Sequence, residues 1–203
     1  VLDKVAMRTG RLDTTGYDVT TATKLEAIPQ MESGTNATGG VSVATESILD
    51  AHIDLVVGYD RGVDRKALAK AGVKLYSPDA YCDDQTPVNH ADFGLVTKEV
   101  TKVGAIFGVP ERAATLNKAL KEQATDLKKH ANGKGASIAS LWLSDDGSSM
   151  SAYGRSSMSQ ANFDVNGLKN VYQDNRTRVF NVSMEDLLKR NPDWILLLNT
   201  SSN

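Results

Sequence analysis

Aromatic and charged side chains stand directly after predicted strands, the positions from which a side chain can reach a bound ligand. Tyr59, Asp60 and Arg61 follow the strand predicted at residues 54–58, whose apolar run is residues 55–57. Tyrosine offers an amphipathic ring and arginine a rigid cationic fork, so the two together suit an anionic ligand. A solvated turn would produce the same residues. The other candidates that end or follow predicted strands are Tyr76, Tyr81, Trp142, Tyr153, Arg155 and Asn199.

Arg155 is the first choice among these candidates for binding the anionic part of a ligand, because its guanidinium is a fixed cationic fork. Trp142 could instead belong to the core, and Asn199 could simply follow the final strand. Trp194 is predicted to be a core residue, because it replaces an aliphatic residue in a repeated stretch of the chain.

The residue patterns that catalysis would need are missing from the sequence. The glycine-rich stretch at 32–40 has no lysine, so it is not a phosphate-binding P-loop. Neither G-x-G-x-x-G after a strand nor G-x-S-x-G occurs. Cys82 and His90 could form a nucleophile with its base, but two such residue types this close in sequence are weak support. A two-lobed α/β enzyme acting on a nucleotide or sugar is therefore the less favoured alternative.

Composition excludes several kinds of binding. One cysteine and three scattered histidines leave no intrachain disulfide, no thiolate metal cluster and no multi-histidine site, so we expect no metal centre and no intrinsic cofactor. A net charge of −2 argues against nucleic acid as a partner. No apolar run approaches the roughly 18 to 20 residues that span a bilayer.

One helix-and-strand unit occurs twice in the chain. Residues 42–60 and 181–199 align when Glu46 is placed on Glu185, an offset of 139 residues. Each copy has a polar start, a glutamate, an apolar pair, an aspartate and an apolar run. Such an offset is far longer than the roughly 20 to 50 residues of a solenoid repeat, so it indicates two similarly built lobes. Ser42 is the predicted N-cap of the first helix.

Between the two copies lies the longest helical pattern. Apolar residues recur at helical spacing over 93–107, and Pro110 suits the first position of a helix that reaches residue 131. Strands and helices alternate elsewhere, which predicts an α/β fold of two lobes with mostly parallel sheets, joined by one long interdomain helix. The predicted domains are an N-terminal lobe at 1–91, a helical segment with this spine at 92–134 and an incomplete C-terminal lobe at 135–203. Because no helix remains to cover the last strand, we expect sequence to be missing at the C-terminus.

The order and spacing of these pieces resemble the substrate-binding proteins of ABC importers, in the class that takes up ferric siderophores, haem and cobalamin. The pieces are TESILDAHIDLVVGYD, GVKLYSPDAY, GVPERAATLNKALKEQATDLKK, MSAYGRSSM followed by GLKNVY, and VFNVSMEDLLKRNPDWILLL. The resemblance implies a rigid interdomain helix and a ligand held between the lobes at the ends of the strands. It also implies a glutamate on each lobe that docks on arginines of the permease, and Glu46 and Glu185 match.

The resemblance implies that the protein is a monomeric receptor and not an enzyme. It also implies a location outside the cytoplasmic membrane, either in the periplasm or anchored as a lipoprotein. The expected ligand is an iron complex, foremost a ferric siderophore. Haem is an alternative that would use an axial ligand such as Tyr59, Tyr76 or Tyr153, and cobalamin is another. A binding lobe of a sensor would share these features, and the sequence does not separate it from a transport receptor.

Overall fold

The computed structural model of the chain describes residues 1–10, 12–35, 41–58, 63–79, 88–144, 147 and 149–198. It divides into two compact units, Val1–Asp83 and Asp84–Asn203. The first unit therefore ends eight residues before the end of the N-terminal lobe predicted at 1–91. The helical segment predicted at 92–134 lies within the second unit.

The first unit begins with irregular chain and then adopts α/β structure. After a 3-10 helix at Leu2–Lys4, its elements are α1 (Val19–Glu26), β1 (Gly34–Thr35), β2 (Val41–Ser42), α2 (Thr45–Asp50), β3 (Leu55–Val57), α3 (Arg65–Lys70) and β4 (Lys74–Tyr76). Ser42 therefore belongs to β2, and the N-cap of α2 is Ala44, which has no side chain to accept a hydrogen bond. The predicted cap at Ser42 is wrong, because the chain stays extended for two more residues before α2 begins.

A parallel pair of strands organises this unit. β3 and β4 pair in parallel, with Val57 opposite Tyr76, and α3 forms the connection between them. Asp64 caps α3 by accepting hydrogen bonds from two backbone N–H groups, and Gly72 ends it at a φ of +82°. The predicted βαβ unit is confirmed. Its core is formed by Met31, Ile48, Leu68 and Val73.

The second unit begins with two helices and continues into a sheet. Its elements are α4 (Phe93–Ile106), α5 (Pro110–Lys129), β5 (Ser137–Leu143), β6 (Met150–Tyr153), α6 (Met158–Val165), β7 (Lys169–Asn170), β8 (Val179–Asn181), α7 (Met184–Arg190) and β9 (Trp194–Leu198). The long predicted helix is confirmed as α5, which has Pro110 at its start. Its 20 residues give a length of about 30 Å at 1.5 Å per residue.

The helices α4 and α5 pack closely because small residues meet at their contact. A side-chain atom added at Gly104 would collide with the Cβ of Ala113. The Asn117 side chain on α5 also donates hydrogen bonds to the Thr97 carbonyl and the Thr101 hydroxyl of α4, each at 2.9 Å. Among the described residues, no helix has both the length and the apolar composition that crossing a bilayer requires.

The sheet of the second unit is mixed. β5 pairs in parallel with β7 and β9 but antiparallel with β6, and β6 pairs antiparallel with β8. The α/β class is thus confirmed, while half of this sheet departs from the parallel arrangement. The reason lies in the connection: residues 144–149 are too few for a crossover between parallel strands, so β5 and β6 form a hairpin.

Trp194 at the start of β9 is 64% exposed, which contradicts its predicted place in the core. Ile195, Leu196 and Leu197 are exposed as well. The apolar run thus identified a strand correctly, but the described residues do not cover its side chains.

Candidate ligand-binding and docking residues

In the first unit the ends of two strands meet as predicted. The Gly58 N–H donates to the Tyr76 carbonyl at 3.0 Å, and the Ser77 hydroxyl donates to the Gly58 carbonyl at 2.7 Å. The chain therefore leaves β3 beside half-buried Tyr76. The candidates that follow in sequence, Tyr59, Asp60, Arg61 and Tyr81, lie outside the described residues.

In the second unit Trp142 lies near the carboxyl ends of β5 and β9. It stands opposite Leu198 of β9 and opposite Ser151 of β6. It is half-buried, which places it between a core residue and a fully exposed one. The candidate Asn199 directly follows Leu198 but lies outside the described residues.

Tyr153 and Arg155 lie toward the other end of the same sheet. β6 runs antiparallel to β5, so the carboxyl end of β6 points toward the amino end of β5. Arg155 is four residues beyond Ser151, the partner of Trp142, and lies in the turn after β6, so at most about 14 Å of chain separates it from Ser151. Tyr153, two residues beyond Ser151, is therefore a diagonal neighbour of Trp142 across the β5–β6 pair, whereas Arg155 lies further along the chain, beyond the end of β6. The expectation that all strand ends share one edge holds only for parallel strands.

Arg155 is engaged with a segment that is distant in sequence. Its Nε donates to the Asn89 carbonyl at 2.9 Å, and its Nη2 donates to Asn89 Oδ1 at 3.0 Å. The Ala91 N–H in turn donates to the Arg155 carbonyl at 2.8 Å. Arg155 therefore holds the chain just before α4, and any ligand contact must share its guanidinium with Asn89.

The backbones of two more arginines approach this turn, and no local pattern in the sequence marks them. The Ser156 hydroxyl donates to the Arg176 carbonyl at 2.7 Å, and the Gly154 N–H donates to the Arg178 carbonyl at 3.2 Å. Only glycine fits at 154, because a Cβ there would lie 2.6 Å from the Asn175 carbonyl oxygen. The close approach of these two loops brings the backbones of Arg176 and Arg178 to the end of β6, next to Arg155 in the chain.

His90 belongs to a polar network within the second unit. Its Nε2 lies 2.6 Å from Asp164 Oδ2, and Gln160 donates to the other oxygen of this carboxylate at 2.7 Å. Asn170 donates to Gln160 at 3.1 Å and accepts from the Tyr172 N–H at 2.9 Å. The partner suggested for His90 by sequence, Cys82, lies outside the described residues. Among the residues that are described, no three His, Cys, Asp or Glu side chains are grouped to hold a metal ion.

The two candidate docking glutamates occupy equivalent places in their units. Glu46 and Glu185 are each the second residue of a short helix and both are exposed. Each helix is followed by a residue in the left-handed region, His52 at a φ of 52° and Asn191 at a φ of 43°, before the next strand begins. The repeat recognised in the sequence is therefore a repeat of backbone conformation.

The helix that carries Glu185 ends in a charged cluster. Arg190 binds both carboxylate oxygens of Asp174 at 3.0 Å and Asp186 at 3.2 Å. Its guanidinium also lies over the Tyr172 ring, 4.5 Å from the centroid. Hydrogen bonding to Arg190 lowers the pKa of Asp174, and burial raises the pKa of Tyr172 to about 12. The cluster was missed because Asp174 and Arg190 share no spacing that marks a contact.

Comparison with known proteins gives a consistent picture. A family model described as periplasmic binding protein matches residues 12–203. The structure is similar to that of an ABC-type Fe3+-hydroxamate transport system from Saccharomonospora viridis, with 30% sequence identity and a TM-score of 0.87. The match covers 98% of this chain and 67% of that one. None of the curated proteins matches the chain significantly.

More distant structures share the fold alone. A vitamin B12 binding protein of Vibrio cholerae is 18% identical, with a TM-score of 0.60 over 86% of this chain and 62% of its own. A haem binding protein of the same organism is 19% identical, with a TM-score of 0.61 over 78% of this chain and 59% of its own. The chain thus spans about two thirds or less of the length of these three structures.

Proposed function

This chain belongs to the periplasmic binding protein family, and on that premise we propose that it binds a ferric siderophore and delivers it to the permease of an ABC importer. The family is a class of extracytoplasmic solute receptors, and the relatives place the chain in its siderophore, haem and cobalamin class. The observation that carries the choice of ligand is the similarity to the Fe3+-hydroxamate system of Saccharomonospora viridis over almost the whole chain.

A titration tests the ligand. The purified protein is titrated with a ferric hydroxamate siderophore, the same siderophore without iron, haem and cobalamin, and binding is followed by calorimetry and by tryptophan fluorescence. We expect saturable binding of the ferric complex and much weaker binding of the iron-free form. Saturable binding of haem or cobalamin alone would replace the siderophore with that ligand, and binding of none of them would reject the receptor function.

We propose Tyr76, Trp142, Tyr153 and Arg155 as ligand contacts, together with Tyr59, Asp60, Arg61, Tyr81 and Asn199. Aromatic rings and a guanidinium suit a bulky anionic chelate. Arg155 can be tested cleanly because its partner provides a matched control. If its charge binds the ligand, Arg155→Ala weakens binding, whereas Asn89→Ala, which removes the side-chain hydrogen bond to Nη2 and leaves the one to the backbone carbonyl, does not. Equal losses in both variants would show that Arg155 acts only by holding the segment before α4.

We propose that Glu46 and Glu185 dock the receptor on cationic residues of the permease. Support comes from their equivalent, exposed positions, and neither carboxylate has a hydrogen bond or ion pair with any described residue. Glu46→Lys and Glu185→Lys should abolish transport while leaving ligand affinity unchanged, because opposite charges at an interface become like charges. Glu111→Lys is the control, since Glu111 is also exposed in the first turn of a helix. Loss of ligand affinity in the first two variants would place the glutamates at the ligand instead.

We propose that the protein is a monomer. We also propose that it lies outside the cytoplasmic membrane, either free or held by a lipid anchor. Sedimentation of the purified protein, with and without the ferric siderophore, tests the monomer. Partition of the cellular protein between detergent and aqueous phases tests the anchor, and recovery from the aqueous phase would exclude it.

A further inference from the structure

A single arginine ties both turns of α7 to the rest of its unit. Arg190, the last residue of the helix, binds Asp174 through two parallel hydrogen bonds of 3.0 Å and donates a further bond to the Val171 carbonyl. Its Nε reaches back one turn to Asp186 at 3.2 Å. Bidentate guanidinium–carboxylate pairs fix geometry as well as contributing energy.

The contact with Asp186 carries this restraint to the first turn of α7. The Asp186 N–H donates to the Ser183 hydroxyl at 3.1 Å, so this residue is held through both its backbone and its side chain. Leu187, one position further on, is buried. Glu185 immediately precedes these two fixed residues, and its direction is therefore set by the rotation that they impose on the helix.

The equivalent helix of the first unit has none of these restraints. Aligned with Ser183 and Arg190 are Ala44 and Ala51, whose methyl groups can make no hydrogen bond. Within the described residues, α2 is held by apolar packing around Ile48 and by one hydrogen bond, from the Asp64 N–H to the Thr45 hydroxyl at 3.2 Å. Glu46 therefore stands on a helix with fewer directional contacts than the helix of Glu185.

We propose that Arg190 is a positioning residue for Glu185, so that the docking carboxylate of the second unit is preorganised and that of the first is not. The inference rests on the proposed docking function. A group held in its bound geometry before association loses less conformational freedom on binding. Glu185 should then contribute more to permease affinity than Glu46, and part of that contribution depends on Arg190.

A double-mutant cycle on permease binding tests the proposal. The permease is placed in lipid nanodiscs, and its affinity for the full chain is measured. The variants are Arg190→Lys, Glu185→Gln, Glu46→Gln and their pairwise combinations. Lysine keeps the charge but cannot form the bidentate fork. We expect Arg190→Lys to weaken binding roughly 3- to 10-fold in the presence of Glu185, and to have almost no effect once Glu185 is glutamine. Combined with Glu46→Gln, its effect should be additive.

Two further variants separate positioning from general loss of stability. Asp174→Asn removes the other half of the ion pair and should reproduce the coupling to Glu185, so the test survives if Arg190→Lys folds poorly. Asn117→Ala weakens the contact between α4 and α5 without touching α7, and its effect should be additive with Glu185→Gln. Each variant is also assayed for ligand affinity, which should not change.

The possible results are distinguishable. Additive effects of Arg190→Lys and Glu185→Gln would overturn the proposal and leave Arg190 a purely structural role. If neither Glu46→Gln nor Glu185→Gln weakens permease binding, the docking function itself is rejected, and the positioning role falls with it.

Discussion

Ile48 in the first unit and Leu187 in the second hold the same place in the repeated sequence, and both are almost fully buried, at 3% and 5% exposure. The left-handed residue after each helix is also shared. The polar contacts differ: Ser183 caps α7 and Arg190 clamps it, while alanines stand at both equivalent positions of α2. One apolar anchor and one turn are thus enough to specify the path of the chain.

The polar contacts therefore affect properties other than the fold. Both helices start, turn and lead into a parallel strand, although only one has a side-chain cap and an ion pair. Charged contacts near the surface contribute modestly to stability but restrict geometry strongly. The difference between the units is therefore expected in rigidity and in response to pH, which substitutions can measure separately in each unit.

Removing the buried apolar anchor, Ile48 or Leu187, should cause the largest loss of stability, and the loss should be similar in both units. Ile48→Ala and Leu187→Ala each remove a buried aliphatic side chain, which lowers the free energy of unfolding by about 2–5 kcal/mol. Both tryptophans lie in the second unit, so urea unfolding followed by tryptophan fluorescence should report Leu187→Ala, and circular dichroism should report both.

The control for this prediction is Leu188→Ala, which makes the same chemical change at the next residue. Leu188 is 69% exposed, so the loss should stay within about 0.5 kcal/mol. Comparable losses for Leu187→Ala and Leu188→Ala would contradict the assignment of Leu187 as the anchor.

The contacts of Arg190 with Asp174 and Asp186 form a clamp on α7, and removing it should lower the stability of the second unit alone. Arg190→Met keeps an apolar stem over Tyr172 but leaves Asp174 and Asp186 without their shared cation. Hydrogen bonds to charged groups contribute about 1.5–3 kcal/mol each, and exposure of Asp174 reduces this, so we expect a total loss of roughly 2 kcal/mol.

The acid limb of the stability curve provides a second measurement of the clamp. Because Arg190 lowers the pKa of Asp174, their pairing adds stability that is fully present above the ordinary aspartate pKa of about 3.9. This stability is lost as pH falls through the lower folded-state pKa. Arg190→Met should flatten that part of the curve, and an unchanged slope would show that Asp174 gains nothing from the arginine.

Tyr172 should make the second unit sensitive to alkali. Burial raises its pKa to about 12, above the ordinary value near 10. The folded unit therefore keeps a proton that the unfolded chain releases, so stability falls as pH rises from about 10 to 12. The Tyr172 hydroxyl is buried without a hydrogen-bond partner among the described residues, so Tyr172→Phe should be nearly neutral at pH 7. The variant should lack this alkaline loss in fluorescence-detected unfolding, and retaining it would assign the titration to another group.

These contacts also show which parts of the molecule the sequence could predict. The repeat, the long helix from Pro110 and the strand within 54–58 were predicted because apolar spacing and helix-start signals are local. The helix α1 was missed because its β-branched residues favour strands. It forms with Asp18 as a cap that binds both the backbone and the hydroxyl of Thr21.

The candidate site was less accessible to sequence reasoning, because its contacts join distant residues. Glu46 and Glu185 could be selected together since the repeat marked them as equivalent. Nothing in the spacing links Arg155 to Asn89, which lies 66 residues away. The direction of β6 decided which candidates share an edge of the sheet, and that direction followed from a short connection rather than from the apolar pattern.

The smallest expected effect comes from exchanging the caps. Ser183→Ala removes the hydroxyl that accepts from the Asp186 N–H and should cost about 1 kcal/mol. Ala44→Ser introduces the same group where the backbone is already extended, at a φ of −66° and ψ of 136°, so it should stabilise the first unit by several tenths of a kcal/mol or more. Urea unfolding measures both changes.

Because Arg190 also holds Asp186, the loss in Ser183→Ala should grow when combined with Arg190→Met, whereas Ala44→Ser should add its gain independently of Arg190. Independence of Ser183 and Arg190 would mean that the two ends of α7 are fixed separately.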